Sequence, residues 1–322
     1  MLHRSSLPAL CYCVLICLAL VGAYPAEAVV TNIFSTQFES LEGYSTASNL
    51  VGQGFWLGSG SGGNGIVNEF IVGEGQQAYV GFDPPDPADD QLVVWRPITL
   101  SPVPTNMTVI QFSVLVCVVD STTNSPYYDD FYFSVYNTQA HRLFTLDFDN
   151  NDLSINYLLD GATNFVATGK HYANDDVYTL DVRMDLAANL WSATLEGVLL
   201  ATNQPITTTS AALDLGDIAA GWLVYDPAHP GDNFLLFDNY QVTAEVLLPP
   251  PPQLQILGRT TDGQVLLRVL GQSNTRFSID ATTNFTQWTA LKTNLVTDGS
   301  FDHVDSSAAG QTHRFYRARW VP

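Results

Sequence analysis

Pairs of aspartates are the residues in this chain whose types and spacing could do chemistry. Asp147 and Asp149 are separated by one residue, and Asp181 and Asp185 by three. Two carboxyl groups about 5 Å apart can cleave a glycosidic bond, one as general acid and the other as nucleophile. Both pairs lie beside sequence typical of turns, however, which favours solvated polar faces of strands over a catalytic pair.

Histidine-containing stretches could supply a second chemistry, that of a polysaccharide lyase. Such a site needs His, Tyr, Arg and Gln side chains in one groove. The residues that could serve are scattered, and no spacing links them: His141, Arg142, His171, Tyr172 and His229. The sequence therefore gives no positive indication of an enzyme.

Residues 147–152 are similar to the start of a calcium-binding loop. An EF-hand loop needs Gly at its sixth position and Glu at its twelfth. This chain has Asp152 and Leu158 at those positions. The residues favour a tight hairpin turn instead.

Aromatic residues in predicted loops are the candidate ligand-binding residues, because exposed rings can stack on sugar rings. Each could equally be a core residue or a loop anchor. Tyr127 and Tyr128 are the best pair, since they stand beside Asp129 and Asp130 in a long polar loop. The full candidate set is Trp95, Tyr127, Tyr128, Tyr172 and Tyr225.

The elements that must position these residues are predicted to be antiparallel β-strands. From residue 131 to residue 200, apolar and polar side chains alternate with a period of two, and turn-forming clusters separate the strands. Residues 108–119 are almost wholly apolar, which predicts a central strand. Many strands at this spacing, with no helical pattern between them, predict an all-β fold of the antiparallel β-sandwich type.

A glycine-rich run and three tryptophans are two further features of the predicted β-sandwich. The glycine-rich run 58–65 lacks the Lys-Ser/Thr pair of a phosphate-binding loop, and no helix pattern follows it, so it predicts a flexible loop. Trp56, Trp191 and Trp222 lie in strand patterns and are predicted to be core residues.

The start of the chain, positions 1–28, is predicted to be a secretory signal peptide. Arg4 precedes a short apolar run, and a small-x-small site ends at Ala28, which predicts cleavage before Val29; the alternative is a retained membrane anchor. No second apolar run could span a membrane, so we expect a secreted, extracellular or cell-surface protein. Cys117 is then the single cysteine of the mature chain; it is predicted to be a small buried hydrophobe, with a reactive thiol as the alternative.

The net charge of −20 is unevenly distributed along the chain. Residues 253–322 carry seven Lys or Arg against five Asp, whereas residues 29–252 carry four basic and 26 acidic residues. An acidic surface of this kind repels nucleic acid and anionic lipid and suits cation binding or solubility. We therefore expect no nucleic-acid partner.

A proline run marks the predicted domain boundary, because four consecutive prolines form an extended spacer that cannot join a sheet. The predicted organisation is a signal peptide (1–28), a β-sandwich (29–248), a linker (249–253) and a small antiparallel β-domain (254–322). Asp262-Gly263 and Asp298-Gly299 predict hairpin turns in the small domain.

The large region resembles the concanavalin A-like lectin/glucanase family of LamG-type jelly rolls. The resemblance is carried by Phe38-Glu39, by Leu50, Gly52, Gln53, Gly54 and Trp56, and by the ending from Asp232 to Val242. It implies a jelly roll over the whole predicted β-sandwich. The family includes glycan-binding modules and glycoside hydrolases. Its retaining glucanases carry Glu-x-Asp-x-x-Glu on one strand, and the absence of that motif here disfavours an enzyme.

The predicted small domain resembles a C-terminal, fibronectin type III-like module of secreted planctomycete and verrucomicrobial proteins. The resemblance is carried by residues 277–288, by Asp298-Gly299-Ser300-Phe301 and by residues 314–318. It implies an extracellular accessory module and no chemistry.

The jelly-roll resemblance also implies a structural calcium ion between the first and last strands. Glu39 follows the first strand and Asp238 lies in the last, so these are the expected metal ligands. Calcium takes six to eight oxygen ligands, and carbonyls of loop 40–44 and of Asn239 could complete the set. The alternative is that Glu39 is solvated and Asp238 caps a turn.

Three functional hypotheses follow. The first is a secreted, non-catalytic, lectin-like protein that binds a polysaccharide or a cell-surface glycan, or acts as an extracellular surface or adhesion module. The second is a structural extracellular protein without a ligand. The third is a polysaccharide-degrading hydrolase or lyase with an unrecognised site, which the sequence disfavours.

Overall fold

The computed structural model describes residues 29–86, 88–101, 103–104, 107–120, 129–226, 229, 231–246 and 250–321. The predicted leader and the Tyr127–Tyr128 pair lie outside these residues. The described part of the chain contains no helix long and apolar enough to cross a membrane.

Antiparallel strands make up the described chain as far as Val246, as the alternation predicts. In chain order they are β1 Val29–Thr36, β2 Leu57–Gly60, β3 Asn64–Asn68, β4 Gln76–Gly81, β5 Gln91–Trp95, β6 Val109–Val119, β7 Asp130–Tyr136, β8 Arg142–Asp149, β9 Ser154–Leu159, β10 Val166–His171, β11 Tyr178–Asp185, β12 Leu190–Leu195, β13 Val198–Pro205, β14 Asp217–Leu223 and β15 Phe234–Val246. A short 3₁₀ turn covers Ser40–Glu42.

Two sheets contain these strands and form an antiparallel β-sandwich of the jelly-roll type. The back sheet has the order β13-β12-β11-β6-β15-β4-β3, with β1 also paired to β15. The front sheet has the order β10-β9-β8-β7-β14-β5-β2. The apolar strand β6 lies between β11 and β15, so the predicted central position is confirmed.

The core lies between the two sheets and contains the three predicted tryptophans. Trp56, Trp191 and Trp222 are all buried, and Trp191 stacks on Phe144 with ring centroids 4.2 Å apart. Burial of a large apolar side chain contributes about 1.5–3 kcal/mol. Cys117 is also buried, and burial raises the pKa of its thiol to about 11, so it is a small apolar residue as predicted.

The glycine-rich run is not the flexible loop that its composition predicts. Its residues belong largely to β2 and β3. A side chain at Gly60 would place its Cβ 1.9 Å from the carbonyl oxygen of Gln91, and one at Gly63 would lie 2.1 Å from that of Gly81. The glycines are therefore required by close backbone approach, which composition alone does not distinguish from flexibility.

The C-terminal residues form a separate pair of three-stranded sheets. Their strands are β16 Gln253–Arg259, β17 Val265–Leu270, β18 Thr275–Thr282, β19 Thr289–Val296, β20 Ser300–Asp305 and β21 Phe315–Trp320, with a 3₁₀ turn at Ser306–Ala308. The sheet orders are β16-β17-β20 and β19-β18-β21. Asp262-Gly263 lies in the predicted hairpin turn. Asp298-Gly299 instead connects strands of different sheets, so the second hairpin prediction is wrong.

Candidate functional site

The outer face of the front sheet, which points away from the core, carries a row of aromatic and polar side chains. On β7, Phe131, Phe133 and Val135 point into the core. Tyr132 and Tyr136 alternate with them and are only half-buried. Because side chains of a strand alternate between faces, both rings lie on the outer face.

Cross-strand pairing sets the surroundings of Tyr132. It lies opposite Asp147 on β8 and opposite Gly221 on β14. A Cβ at Gly221 would lie 2.1 Å from Cζ of Tyr132, so the ring rests directly on the glycine backbone. Burial raises the pKa of Tyr132, which keeps its hydroxyl protonated and able to donate a hydrogen bond.

A basic and an acidic group flank Tyr136, which pairs with Arg142 on β8 and with Asp217 on β14. The guanidinium of Arg142 donates from Nη1 to Thr145 Oγ1 (3.3 Å) and from Nη2 to the carbonyl of Leu159 (3.3 Å). Burial raises the pKa of Asp217 to about 6. This part of the face therefore combines a phenol ring with a hydrogen-bond donor, the guanidinium of Arg142, and an acceptor, the carboxyl group of Asp217.

Trp95 extends the row to the next strand. It is the last residue of β5, not a loop residue, and it is half-buried. Val93, two residues earlier, pairs with Gly221, which in turn pairs with Tyr132, so Trp95 shares the outer face with that ring.

Two buried carboxyl groups, Asp130 and Asp147, lie at the end of this face where β7 begins. Burial raises the pKa of Asp147 to about 8 and that of Asp130 to about 7, and the charge of Asp130 raises the pKa of Asp147 further. Asn156 Nδ2 donates to Asp147 Oδ2 (3.3 Å), and the hydroxyl of Tyr225 donates to Asp130 Oδ2. Asp130 Oδ1 is buried without a hydrogen-bond partner among the described residues.

The expectation that the aspartate pairs are solvated is therefore wrong for Asp147, which is 2% exposed. It holds for Asp181, which is exposed on the back sheet. The predicted turn after β8 is confirmed at residues 150–153. Alternation assigns a side chain to a face, but it does not show how deeply that face is covered.

Tyr172 and Tyr225, both predicted as loop aromatics, lie in different environments. Tyr172 is buried: its ring packs edge-on against Phe148, and its hydroxyl donates to Asn150 Oδ1 (3.0 Å). The expectation that its ring is exposed is wrong. Tyr225 is 61% exposed and lies beside the buried carboxyl of Asp130.

The predicted metal ligands Glu39 and Asp238 lie in a second acidic cluster, where β1 and β15 pair. Asp238 is fully buried, and its Oδ2 has no hydrogen-bond partner among the described residues. Burial raises its pKa to about 7, and the charges of Glu74, Glu39 and Glu42 raise it further. Glu39 Oε1 accepts a hydrogen bond from the amide of Gln76 (3.0 Å).

This cluster supplies oxygen ligands but not a closed metal cage. Within the described residues, no group of three or more His, Cys, Asp or Glu side chains has the arrangement of a metal site. The buried, unpartnered oxygen of Asp238 is nevertheless a group that a hard cation would satisfy. Sequence reasoning missed Glu74, because no local signal links it to β15, which lies far along the chain.

Comparison with known proteins shows no family for this chain. No protein-family model matches the chain, and no curated protein is similar to it in sequence. Structures similar to it include a sialidase (TM-score 0.44, 9% identity, 66% of this chain and 18% of the sialidase), a GH131 β-glucanase catalytic domain from Podospora anserina (0.41, 13%, 66% and 95%) and arcelin-5, a lectin-like defence protein from Phaseolus vulgaris (0.41, 9%, 62% and 96%). At these values the similarity carries no argument about activity.

Proposed function

We propose that the protein is a secreted, lectin-like protein that binds a glycan on the outer face of the front sheet. The observation that supports this is the row of half-buried rings, Trp95, Tyr132 and Tyr136, beside polar groups such as Arg142. Sugar rings present apolar C–H faces that pack on aromatic rings, while their hydroxyls need donors and acceptors nearby.

Removal of one ring tests this proposal. Tyr136→Ala should weaken binding to the best ligand of a polysaccharide panel by about tenfold, which corresponds to about 1.4 kcal/mol. Phe70→Ala is the matched control, because Phe70 is 48% exposed but packs on Phe234 of the back sheet. Equal losses in both variants would show that the outer face is not the binding site, and no binding by the wild type to any glycan would favour a structural protein without a ligand.

The Tyr127–Tyr128 pair remains a predicted part of this binding site. The two residues immediately precede Asp129, whose carboxylate accepts hydrogen bonds from Trp222 Nε1 (3.0 Å) and the amide of Gly231 (2.9 Å). The double variant Tyr127→Ala, Tyr128→Ala should weaken glycan binding without a change in melting temperature. Lower thermal stability with unchanged binding would identify them as packing residues.

A second candidate function is polysaccharide cleavage, which the carboxyl pair at the end of the outer face favours. A group with a pKa of about 8, as at Asp147, is protonated at neutral pH and could act as a general acid. Release of reducing ends from a polysaccharide panel tests this. Activity in the wild type that is lost in Asp147→Asn would support an enzyme; wild-type binding without any product would exclude cleavage of those substrates.

We also propose that a structural calcium ion binds at Glu39 and Asp238, with Glu42 and Glu74 as further acidic neighbours. The unpartnered oxygen of Asp238 supports this, because a cation would offset its burial and the repulsion among the carboxylates. Calcium that binds only the folded state raises the melting temperature by mass action. Excess calcium should therefore raise the melting temperature of the wild type relative to excess chelator.

Asp238→Asn separates this site from general charge effects, since it keeps the shape of the side chain and removes its charge. Its melting temperature should no longer respond to calcium. Asp181→Asn, on the exposed face of β11, is the matched control and should respond as the wild type does. An absent response in the wild type, or an equal response in Asp238→Asn, would eliminate the site.

A further inference from the structure

The C-terminal module carries an exposed strip of aromatic rings and guanidinium groups on the outer side of the sheet β19-β18-β21. Phe285 is 60% exposed and packs on Phe315 with ring centroids 3.8 Å apart. Arg317 lies over Trp288, with Cζ 4.3 Å from the ring centroid. Phe315, Arg317 and Arg319 are alternate residues of β21, so they share one face. We call these five residues the arginine–aromatic strip.

A hydrogen-bonded turn holds Phe285 in place. Thr282 Oγ1 accepts from the amides of Asn284 (3.2 Å) and Phe285 (3.1 Å), and Asn284 Oδ1 accepts from those of Thr286 (3.1 Å) and Gln287 (3.0 Å). The side chains of Thr282 and Asn284 thus fix the backbone before and after Phe285. The ring is therefore held in an exposed position, and a ligand that packs on it would meet a preorganised surface.

A buried carboxylate orders the two arginines. Asp280 is 2% exposed, and its Oδ2 accepts from Nε of Arg317 (3.1 Å) and from Nε of Arg319 (2.8 Å). The hydroxyl of Ser278 and the two guanidiniums outweigh burial and hold the pKa of Asp280 below its usual value. Among the described residues, each arginine donates hydrogen bonds to Asp280 through Nε alone, and both side chains are about half exposed. Their Nη groups can therefore bind a ligand.

We propose that the arginine–aromatic strip binds an anionic glycan, one that bears carboxylate or sulfate groups. This inference rests on the proposed carbohydrate function and adds a second site with its own ligand class. Exposed rings pack on sugar faces, and the free Nη edges of two ordered guanidiniums match the paired oxygens of a carboxylate or sulfate. Neither feature alone would select such a ligand.

The charge distribution supports the same class of ligand. Residues 253–322 carry a net charge of +2, in contrast to −22 for residues 29–252. At physiological ionic strength, charges more than about 8 Å apart are largely screened, so the local charge of the strip governs contact with an anion. The strip is thus a cationic surface on an otherwise acidic protein.

Affinity electrophoresis of the full chain in gels containing dextran, dextran sulfate, polygalacturonate or poly-glutamate tests this proposal. The wild type should be retarded by dextran sulfate or polygalacturonate, and by neither neutral dextran nor poly-glutamate. Retardation by one acidic glycan alone identifies the anion that is recognised. The double variant Arg317→Gln, Arg319→Gln should bind about tenfold more weakly, which corresponds to about 1.4 kcal/mol.

Two further variants keep the test decisive. Phe285→Ala removes only an exposed ring and should weaken binding at least threefold, even if the double arginine variant, which leaves the buried Asp280 without its two guanidinium partners, fails to fold. Arg268→Gln is the matched control: it removes one exposed charge from the other sheet of the module, where Arg268 pairs with Asp302, and should bind within twofold of the wild type.

Three results would overturn the inference: equal loss in Arg268→Gln, unchanged binding in Phe285→Ala, or retardation by poly-glutamate as strong as by an acidic glycan. The last would indicate an acidic protein partner. Tyr136→Ala distinguishes this site from the outer face. If Tyr136→Ala abolishes all glycan binding while the strip variants retain it, glycans bind at the outer face and not at the strip. If the strip variants abolish binding while Tyr136→Ala retains it, glycans bind at the strip alone.

Discussion

The two ends of the β7-β8-β9 meander each carry a buried aspartate, and the pKa values of the two carboxyl groups are shifted in opposite directions. Asp160 follows β9 at one end, where burial opposes ionisation. Hydrogen bonds from the hydroxyls of Thr207 (2.5 Å), Thr208 (2.6 Å) and Thr209 (2.6 Å), with the amide of Thr208, outweigh burial and hold its pKa well below the usual range.

The opposite end has a carboxyl group of equally low solvent exposure that lies deeper in the protein and has almost no donors. Asp147 receives one hydrogen bond, from Asn156, and its acidic neighbours are Asp130, Asp149 and Asp152. Its pKa is therefore raised to about 8. Low solvent exposure alone therefore does not decide whether a carboxyl group is a structural anchor or a reactive group; the depth of its burial and the number of donors aimed at it do.

The largest expected effect is a loss of stability in Asp160→Asn, which removes the charged carboxylate that the threonine hydroxyls bind. An amide has one acceptor oxygen, so several of the threonine donors at this end would lose their partner while Thr207 remains buried. We expect the free energy of unfolding to fall by about 3–5 kcal/mol, as when one partner of a buried charged network is removed.

Urea denaturation at pH 7 measures this loss. Asp214→Asn is a suitable control, because Asp214 also accepts from a threonine, Thr138 Oγ1 (2.8 Å), but at an exposed position. If the free energy of unfolding of Asp160→Asn falls by less than about 1 kcal/mol, the range of an ordinary surface substitution, the hydrogen bonds between Asp160 and the threonines do not anchor the fold.

Asp147→Asn should have a smaller effect of the opposite sign. A carboxyl group whose pKa is raised on folding stabilises the fold fully below its unfolded pKa of about 4, and that contribution is lost as the pH rises through its folded pKa of about 8. The amide does not ionise. At pH 8 we therefore expect the variant to be more stable than the wild type by about 1–3 kcal/mol, the cost of a buried unpaired polar group.

Stability measured between pH 4 and pH 9 tests the assignment of Asp147. The wild type should lose stability across this range, and Asp147→Asn should lose less. The contribution of Asp160 has the opposite window: because its pKa is depressed, it is present above about pH 4 and is lost as the pH falls below that value. Parallel curves for the wild type and Asp147→Asn would contradict the assignment of a protonated carboxyl.

The local sequence pattern predicted the strands of this fold, but it did not predict the difference between Asp160 and Asp147 at the two ends of the meander. The alternation around Phe144 and the apolar run of β6 report on short segments, and both are placed as predicted. The partners of Asp160 stand 47 to 49 residues away, so no local signal connects them. The same limit explains why Asp147 was predicted to be solvated.

The sequence of one strand, β7, carries a signal for the outer face. Tyr132, Ser134 and Tyr136 alternate with Phe131, Phe133 and Val135, so the polar face of β7 carries two phenol rings. A face rich in tyrosine is chemically distinct from one of threonine and aspartate. Aromatic residues in predicted loops are a poorer guide to this face, since Tyr172 is a core residue. By contrast, the crowding of Gly221 by Tyr132 depends on strand pairing and could not have been predicted.

The smallest expected effect is that of Tyr225→Phe, which sharpens the comparison at the acidic end. The Tyr225 hydroxyl donates to Asp130 and stabilises its ionised form, so its removal should raise the pKa of Asp130 above about 7. At pH 5, where this carboxyl is protonated, stability should be unchanged. At pH 9 it should fall by less than about 1 kcal/mol, since the ring of Tyr225 is largely exposed. Carboxyl carbon chemical shifts followed by NMR across this range would report the titration directly. A lower pKa for Asp130 in the variant, or a loss of stability at pH 5 as large as at pH 9, would mean that Tyr225 acts through packing.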